Sequence, residues 1–301
     1  MSIPYIIASD VALSWPDIVA ALLAGHKGVR PQISDQLLHR GEDVLLSRAA
    51  WIDGLGVAVK SVTVFPSQEP SVQGAMLLFN DASGAVEAVI DSALVTRWKT
   101  VADSVLGARL LARRDVKRLL IIGAGAVAEG LAVAYPVLFP GMDVEIWNRS
   151  AGKAVALADK VGAKAVGNLR AAVMRADIIS TATMAKTPVL KGEWLQAGQH
   201  LDLIGAFTAE MREADDACLQ RSRIFVDSVA TTIDHIGELM IPLASGAIAR
   251  KDVRGDLYDL AQGAAGRVAA DDITLFKNGG GAHLDLMVGR VILAAYRAQS
   301  A

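Results

Sequence analysis

The sequence predicts an α/β protein in which a doubly wound parallel sheet follows a smaller α+β domain. From residue 118 onward, short apolar runs at 118–122, 143–147, 177–181, 201–204 and 224–226 alternate with helix-compatible stretches. That rhythm belongs to parallel strands joined by crossover helices. Up to residue 115 the pattern is different, with period-two runs and turn-forming clusters that indicate an antiparallel sheet.

Taken in order, residues 16–23 form an apolar helix candidate, and 43–46 and 57–65 read as strands, the second alternating at period two. Residues 74–79 and 85–90 flank Asn80-Asp-Ala-Ser-Gly84, whose turn-forming residues predict a hairpin. Between 95 and 113 there is no proline and only Gly107 interrupts apolar residues at helical spacing, so a long helix leads into the next domain. Near the end, Asp272-Ile-Thr-Leu-Phe-Lys-Asn-Gly-Gly-Gly-Ala-His283 joins an apolar helix over 284–298, a tail expected to pack back on the first domain. The expected division is therefore 1–114 together with 275–301, against 115–274.

The composition narrows the function classes. With 52% hydrophobic and 21% charged residues and a formal net charge of -2, the chain is globular and carries no basic footprint for nucleic acid. The most apolar region, 119–142, is broken by glycines, Glu129 and Pro136, and lacks the run of about 20 apolar residues that crosses a membrane. Residues 1–13 lack a basic segment and carry Asp10, which argues against a secretory signal. The single cysteine, Cys218, excludes an internal disulfide and fits a reducing cytoplasm.

Chemistry first shows in Gly123-Ala124-Gly125-Ala126-Val127-Ala128, directly after the strand candidate 118–122. The first glycine permits a tight turn and the second lets backbone approach a pyrophosphate. The small third residue lets helix pack on strand, and the helix N-terminus offers free N–H groups to phosphates. This is the Rossmann arrangement for a dinucleotide. At the end of the next strand an NAD-selective site would carry an acid for the ribose hydroxyls. Here the residues are Asn148, Arg149 and Ser150, and Asp143 opens the strand at the wrong end. Arg149 suits a 2′-phosphate, so NADPH is expected over NADH, with NADH possible as a second cofactor. Thr181 and Thr183, ending the third strand, are further cofactor contacts by position.

Other polar groups are less specific. Lys60 interrupts an otherwise apolar strand, where an unpaired ammonium is costly. His283 follows three glycines and reads either as a proton donor near a ligand or as a packed or capping histidine. His235 and Glu238, three apart, would share a helix face, but without further ligands they make no metal site. Asp215-Asp216 and Arg221-Ser-Arg223 read as solvated helix-end charges.

Around the central glycine motif, Leu46-Ser-Arg-Ala-Ala-Trp51, Trp98-Lys-Thr100, Leu203-Ile-Gly-Ala-Phe207 with Met211-Arg-Glu213, and Lys277-Asn-Gly-Gly-Gly-Ala-His283 together resemble the ornithine cyclodeaminase and mu-crystallin family. The likeness runs over nearly the whole chain and is greatest to the branch of Δ1-pyrroline-2-carboxylate reductases. It implies that the first domain binds substrate and forms a homodimer through its sheet. It also implies that Lys60 and Lys99 hold a substrate carboxylate beside the nicotinamide. Lysine at 99 replaces a common arginine, and Arg48 is the candidate to restore the guanidinium fork. Where cyclodeaminases carry a catalytic aspartate this chain has Phe207, which cannot move protons. The resemblance thus points to reduction of a cyclic imine, Δ1-pyrroline-2-carboxylate or its six-membered homologue, to L-proline or L-pipecolate. An amino-acid dehydrogenase, a cyclodeaminase-like enzyme and a non-catalytic NADPH-binding protein of mu-crystallin type are the alternatives.

Overall fold

The computed structural model describes residues 3–300, which form two compact units. One comprises the residues up to Lys99 together with those from Gly281 on, and the other runs from Thr100 to Gly280.

In the first unit, β1 (Tyr5–Ile6) and α1 (Trp15–Lys27) precede β2 (Gln32–Arg40), β3 (Asp43–Ile52), β4 (Gly56–Val64), β5 (Val72–Phe79) and β6 (Val86–Asp91). The sheet order is β1-β6-β5-β4-β3-β2, with β1 parallel to β6 and every other pair antiparallel. The expected hairpin joins β5 to β6, and the Asn80 side chain accepts from the backbone N–H groups of Ala82 and Ser83 in its turn. Strand β4 alternates as its sequence predicts: Ala58, Lys60 and Val62 are buried beneath the C-terminal helix (Ala282–Ser300), and Val57, Val59 and Ser61 face the other way. Strand β2 was not legible, because Gln32-Ile-Ser-Asp-Gln-Leu-Leu-His-Arg40 is exposed along most of its length and has no apolar alternation. The uncovered face keeps Tyr5, Leu38, Leu45, Trp51 and Leu77 exposed.

The helix α2 (Ser92–Leu111) belongs to the first unit up to Lys99 and to the second from Thr100. In the second unit β7 (Arg118–Ile122), α3 (Ala126–Leu138), β8 (Asp143–Trp147), α4 (Ala151–Val161), β9 (Lys164–Ala165), β10 (Ile178–Thr181), β11 (His200–Leu203), β12 (Ser222–Val226), β13 (Val253–Asp256) and β14 (Ile273–Lys277) follow. All eight strands are parallel, in the order β13-β12-β14-β11-β10-β7-β8-β9. The strand order reverses between β7 and β10, which opens a crevice at their carboxyl ends. Strands β10, β11 and β14 are buried throughout, and their apolar residues are accompanied by buried Ser180, His200, Asp202, Thr274 and Lys277. Gly107 has a packing reason: a Cβ there would lie 2.6 Å from the Phe276 ring.

The reading of 275–301 as part of the first domain needs correction at its start. Strand β14 is inserted between β11 and β12, and the chain returns to the first unit only at Gly281. A five-residue run buried on both sides carries no periodicity that assigns it to either sheet. Among the described residues no helix is long and apolar enough to cross a membrane, and no group of three or more side chains is arranged to hold a metal ion.

Candidate cofactor and substrate sites

The glycine turn has the properties its spacing predicts. Gly123 takes φ +134°, and a Cβ there would collide with the carbonyl of Ala182 at the end of β10. Its N–H donates to the carbonyl of Trp147 at 2.8 Å, which ties the turn to the end of β8. Gly125 is the N-cap of α3, lacks a side-chain cap, and would place a Cβ in open space. Ala124 is half-buried, Gly125 and Ala126 are exposed, and Val127 lies in the first turn of the helix. At the end of β8, Asn148 donates to the carbonyl of Ser150 at 3.1 Å. Ser150 caps α4 without a side-chain bond, and Arg149 is exposed with no ion pair among the described residues. An uncapped helix start after a tight glycine turn fits the pyrophosphate of a dinucleotide.

Thr181 ends β10 and Thr183 follows it, as their spacing predicts. Both hydroxyls donate to Glu213, at 2.8 Å each, and the same carboxylate accepts from the backbone N–H groups of Thr183 at 2.7 Å and Gly205 at 2.6 Å. Glu213 thus ties the loop after β10 to the loop after β11, and the two threonine side chains are spent on it. Its own N–H and that of Ala214 donate to Glu238, at 2.8 and 3.0 Å. Burial pushes the Glu238 carboxyl up to about 7. The expectation that His235 and Glu238 share a helix face is corrected, because His235 lies in the turn before the helix Gly237–Ser245. Asp215 is an N-cap that accepts from Cys218, and Arg221 donates to the carbonyls of Gly192 and Leu195, so neither is a merely solvated charge. Phe207, in the loop after β11, is 60% exposed and supplies no acid or base.

In the first unit the cations expected to bind substrate come together. Strand register sets Asp35, Arg48 and Lys60 in one row across β2, β3 and β4. Arg48 pairs with Asp35, and the Lys60 ammonium lies 2.7 Å from Oδ1 of Asp285 on the C-terminal helix. Lys99, from α2, reaches the same oxygen at 2.9 Å. Lys60 also approaches the Thr96 hydroxyl at 3.5 Å, and Lys99 the carbonyl of Gly281 at 3.5 Å.

Lys60 and Lys99 are each 4% exposed and Asp285 is 1% exposed, so this is a dry charge cluster. Burial brings Lys99 down to about 7, helped by the positive charges of Lys60 and Arg48 and opposed by Asp285. Burial pushes Asp285 up, but Lys60, Lys99 and Arg48 outweigh it and bring the carboxyl to about 2. His283 is fully buried and meets His26 edge-on, with ring centroids 5.5 Å apart. Burial, with His26 and Lys99 nearby, holds its imidazole well below the ordinary histidine range, so it stays neutral. Asp285 escaped the sequence reading. The only signal for it was a lone acid in the first turn of a largely apolar helix.

The chain matches the model of the ornithine cyclodeaminase/mu-crystallin family over residues 52–300. It is 52% identical to Δ1-pyrroline-2-carboxylate reductase of Paracoccus denitrificans over 291 residues, 93% of this chain and 92% of the relative. It is 31% identical to mouse ketimine reductase mu-crystallin over 225 residues, 74% of this chain and 69% of that one. A Thermococcus litoralis Δ1-pyrroline-2-carboxylate reductase, solved with NADH and L-proline, superposes with a TM-score of 0.90 at 24% identity, covering 98% of both chains. An archaeal alanine dehydrogenase dimer with bound NAD gives 0.92 at 24% identity over 100% of this chain and 98% of that one. At those identities the two structures speak for the fold.

Proposed function

The chain belongs to the ornithine cyclodeaminase/mu-crystallin family, and we propose that it reduces the cyclic imine Δ1-pyrroline-2-carboxylate, and its six-membered homologue, to L-proline and L-pipecolate with NADPH. The buried pair of lysines on one carboxylate oxygen carries this reading: with Lys99 protonated, two cations share a single anion and leave one positive charge for a substrate carboxylate. Kinship with proteins named for this reaction supports the same assignment.

In this reading Lys60 and Lys99 hold the carboxylate, with Arg48 at the rim of the row. The family's first unit is the substrate-binding and dimerisation domain, and the second binds the dinucleotide through Gly123, Ala124, Gly125, Ala126 and Val127. Asn148, Arg149 and Ser150 take the 2′-phosphate, which favours NADPH while leaving NADH usable. Thr181 and Thr183 act through Glu213, shaping the crevice rather than offering hydroxyls. When bound, the nicotinamide supplies the hydride that the C=N carbon accepts. The chain's own part is to orient that carbon and exclude water. His283, held neutral, packs behind Lys99 and is not the source of a charged acid.

The exposed apolar sheet face, with Leu45, Trp51 and Leu77, suits burial in a homodimer, and the lone buried thiol suits a reducing cytoplasm. Oxidation of NADPH by purified protein over five- and six-membered cyclic imines tests the reading. Binding of both ligands without turnover would instead give a ligand-binding protein. Oxidation of amino acids would give a dehydrogenase, for which the Phe207 position offers no base.

A further inference from the structure

Asp285 does more than neutralise two lysines. Both ammonium groups fall on its Oδ1, at 2.7 and 2.9 Å, while Oδ2 has no hydrogen-bond partner among the described residues in a side chain 1% exposed. A buried carboxylate oxygen left without a donor is costly, and a ligand N–H set against it removes that cost. Lys60 and Lys99 already suit an anion. A ligand that satisfies the whole cluster must therefore bring a carboxylate and, close beside it, a polarised N–H.

We propose that Asp285 is the specificity-determining residue that accepts a hydrogen bond from the protonated ring nitrogen of an α-imino carboxylate, selecting cyclic iminium acids over 2-oxo acids and over rings without nitrogen. This rests on the reductase reading and refines its substrate class. The charges close on themselves: Arg48 is paired with Asp35, and with Lys99 protonated the two lysines exceed Asp285 by one. The substrate carboxylate takes that excess, and the iminium lies on Oδ2. Repulsion between the lysines and a cationic imine is thereby offset by an anion set on the same oxygen pair. A 2-oxo acid would turn a carbonyl lone pair toward Oδ2 and be repelled, as the oxygen of a tetrahydrofuran ring would.

Titration calorimetry of the full chain in the presence of NADPH tests this with L-proline, cyclopentanecarboxylate and tetrahydrofuran-2-carboxylate, which share the carboxylate and differ at one ring atom. The wild type is expected to prefer L-proline by about tenfold or more, the worth of one charged hydrogen bond. In Asp285→Asn that preference should shrink to within about threefold, whatever change in carboxylate affinity the three ligands share. Equal weakening of all three ligands, or an undiminished preference for L-proline, overturns the proposal. If Asp285→Asn does not fold, the wild type decides alone, since equal affinity for L-proline and cyclopentanecarboxylate also overturns it. Failure of the parent reading looks different: no turnover of Δ1-pyrroline-2-carboxylate, with the nitrogen preference retained, ends the reductase assignment and supports the recognition role.

Discussion

Lys60 and Asp285, 225 residues apart in the chain, meet at 2.7 Å in a buried cluster. Strand β4 brings the lysine inward and the first turn of the C-terminal helix brings the acid onto it. Removing one member of a buried ion pair leaves the other uncompensated, at a cost of about 3–5 kcal/mol. Lys99 still faces Asp285 in Lys60→Met, so the expected loss is at the low end, about 3 kcal/mol. Denaturant unfolding should show this together with loss of imine turnover, and an unchanged midpoint would contradict the pairing.

Lys99 should make ligand binding pH-dependent. Below about 7 it is an ammonium and above it an uncharged amine, with Lys60, Arg48, Asp285 and His283 as the titratable and charged groups around it. Affinity for cyclopentanecarboxylate, which does not titrate in this range, should therefore fall by about tenfold as pH rises from 7 to 9. In Lys99→Arg the guanidinium remains charged and the fall should vanish. The same slope in both proteins would assign it to another group.

Arg149 has no ion-pair partner among the described residues to lose when it is replaced. Charged hydrogen bonds are worth about 1.5–3 kcal/mol, so Arg149→Ala should raise the KM for NADPH roughly 10- to 100-fold and leave that for NADH within about twofold. Steady-state kinetics with both cofactors decides, and equal effects would remove the phosphate contact.

Glu213 is expected to control the cofactor crevice indirectly. In Glu213→Ala the N–H groups of Thr183 and Gly205 lose their acceptor, at about 1–3 kcal/mol each. A lower melting temperature and weaker NADPH binding should appear together, with partial recovery in Glu213→Gln, which keeps one acceptor oxygen. Stability loss with unaltered NADPH affinity would confine Glu213 to a structural role.

The uncovered sheet face gives a separate test. Leu77, 37% exposed on β5, would be buried in a dimer formed there, so Leu77→Glu should shift sedimentation from dimer to monomer without unfolding the protein. A wild type that sediments as a monomer would end the dimer expectation.

Much of this protein is written in neighbouring residues. Alternation along β4, the helical spacing of α2, the glycines at 123 and 125 and the Asn148-Arg149-Ser150 run act over a turn or a strand, where local sterics and hydrogen bonding are sufficient. They determine the strand-helix rhythm and the form of the glycine turn proposed to hold the cofactor. Strand β2 was obscure because an exposed strand needs no apolar period, and β14 because a strand buried on both faces has none to show. What only the tertiary structure decided is the company each charge keeps. Thr181 and Thr183 turn to Glu213, His283 is sealed against His26, and Asp285 gathers Lys60 and Lys99. A buried charge is tolerated only with a partner, and that partner is chosen by strand register and helix packing rather than by distance along the chain.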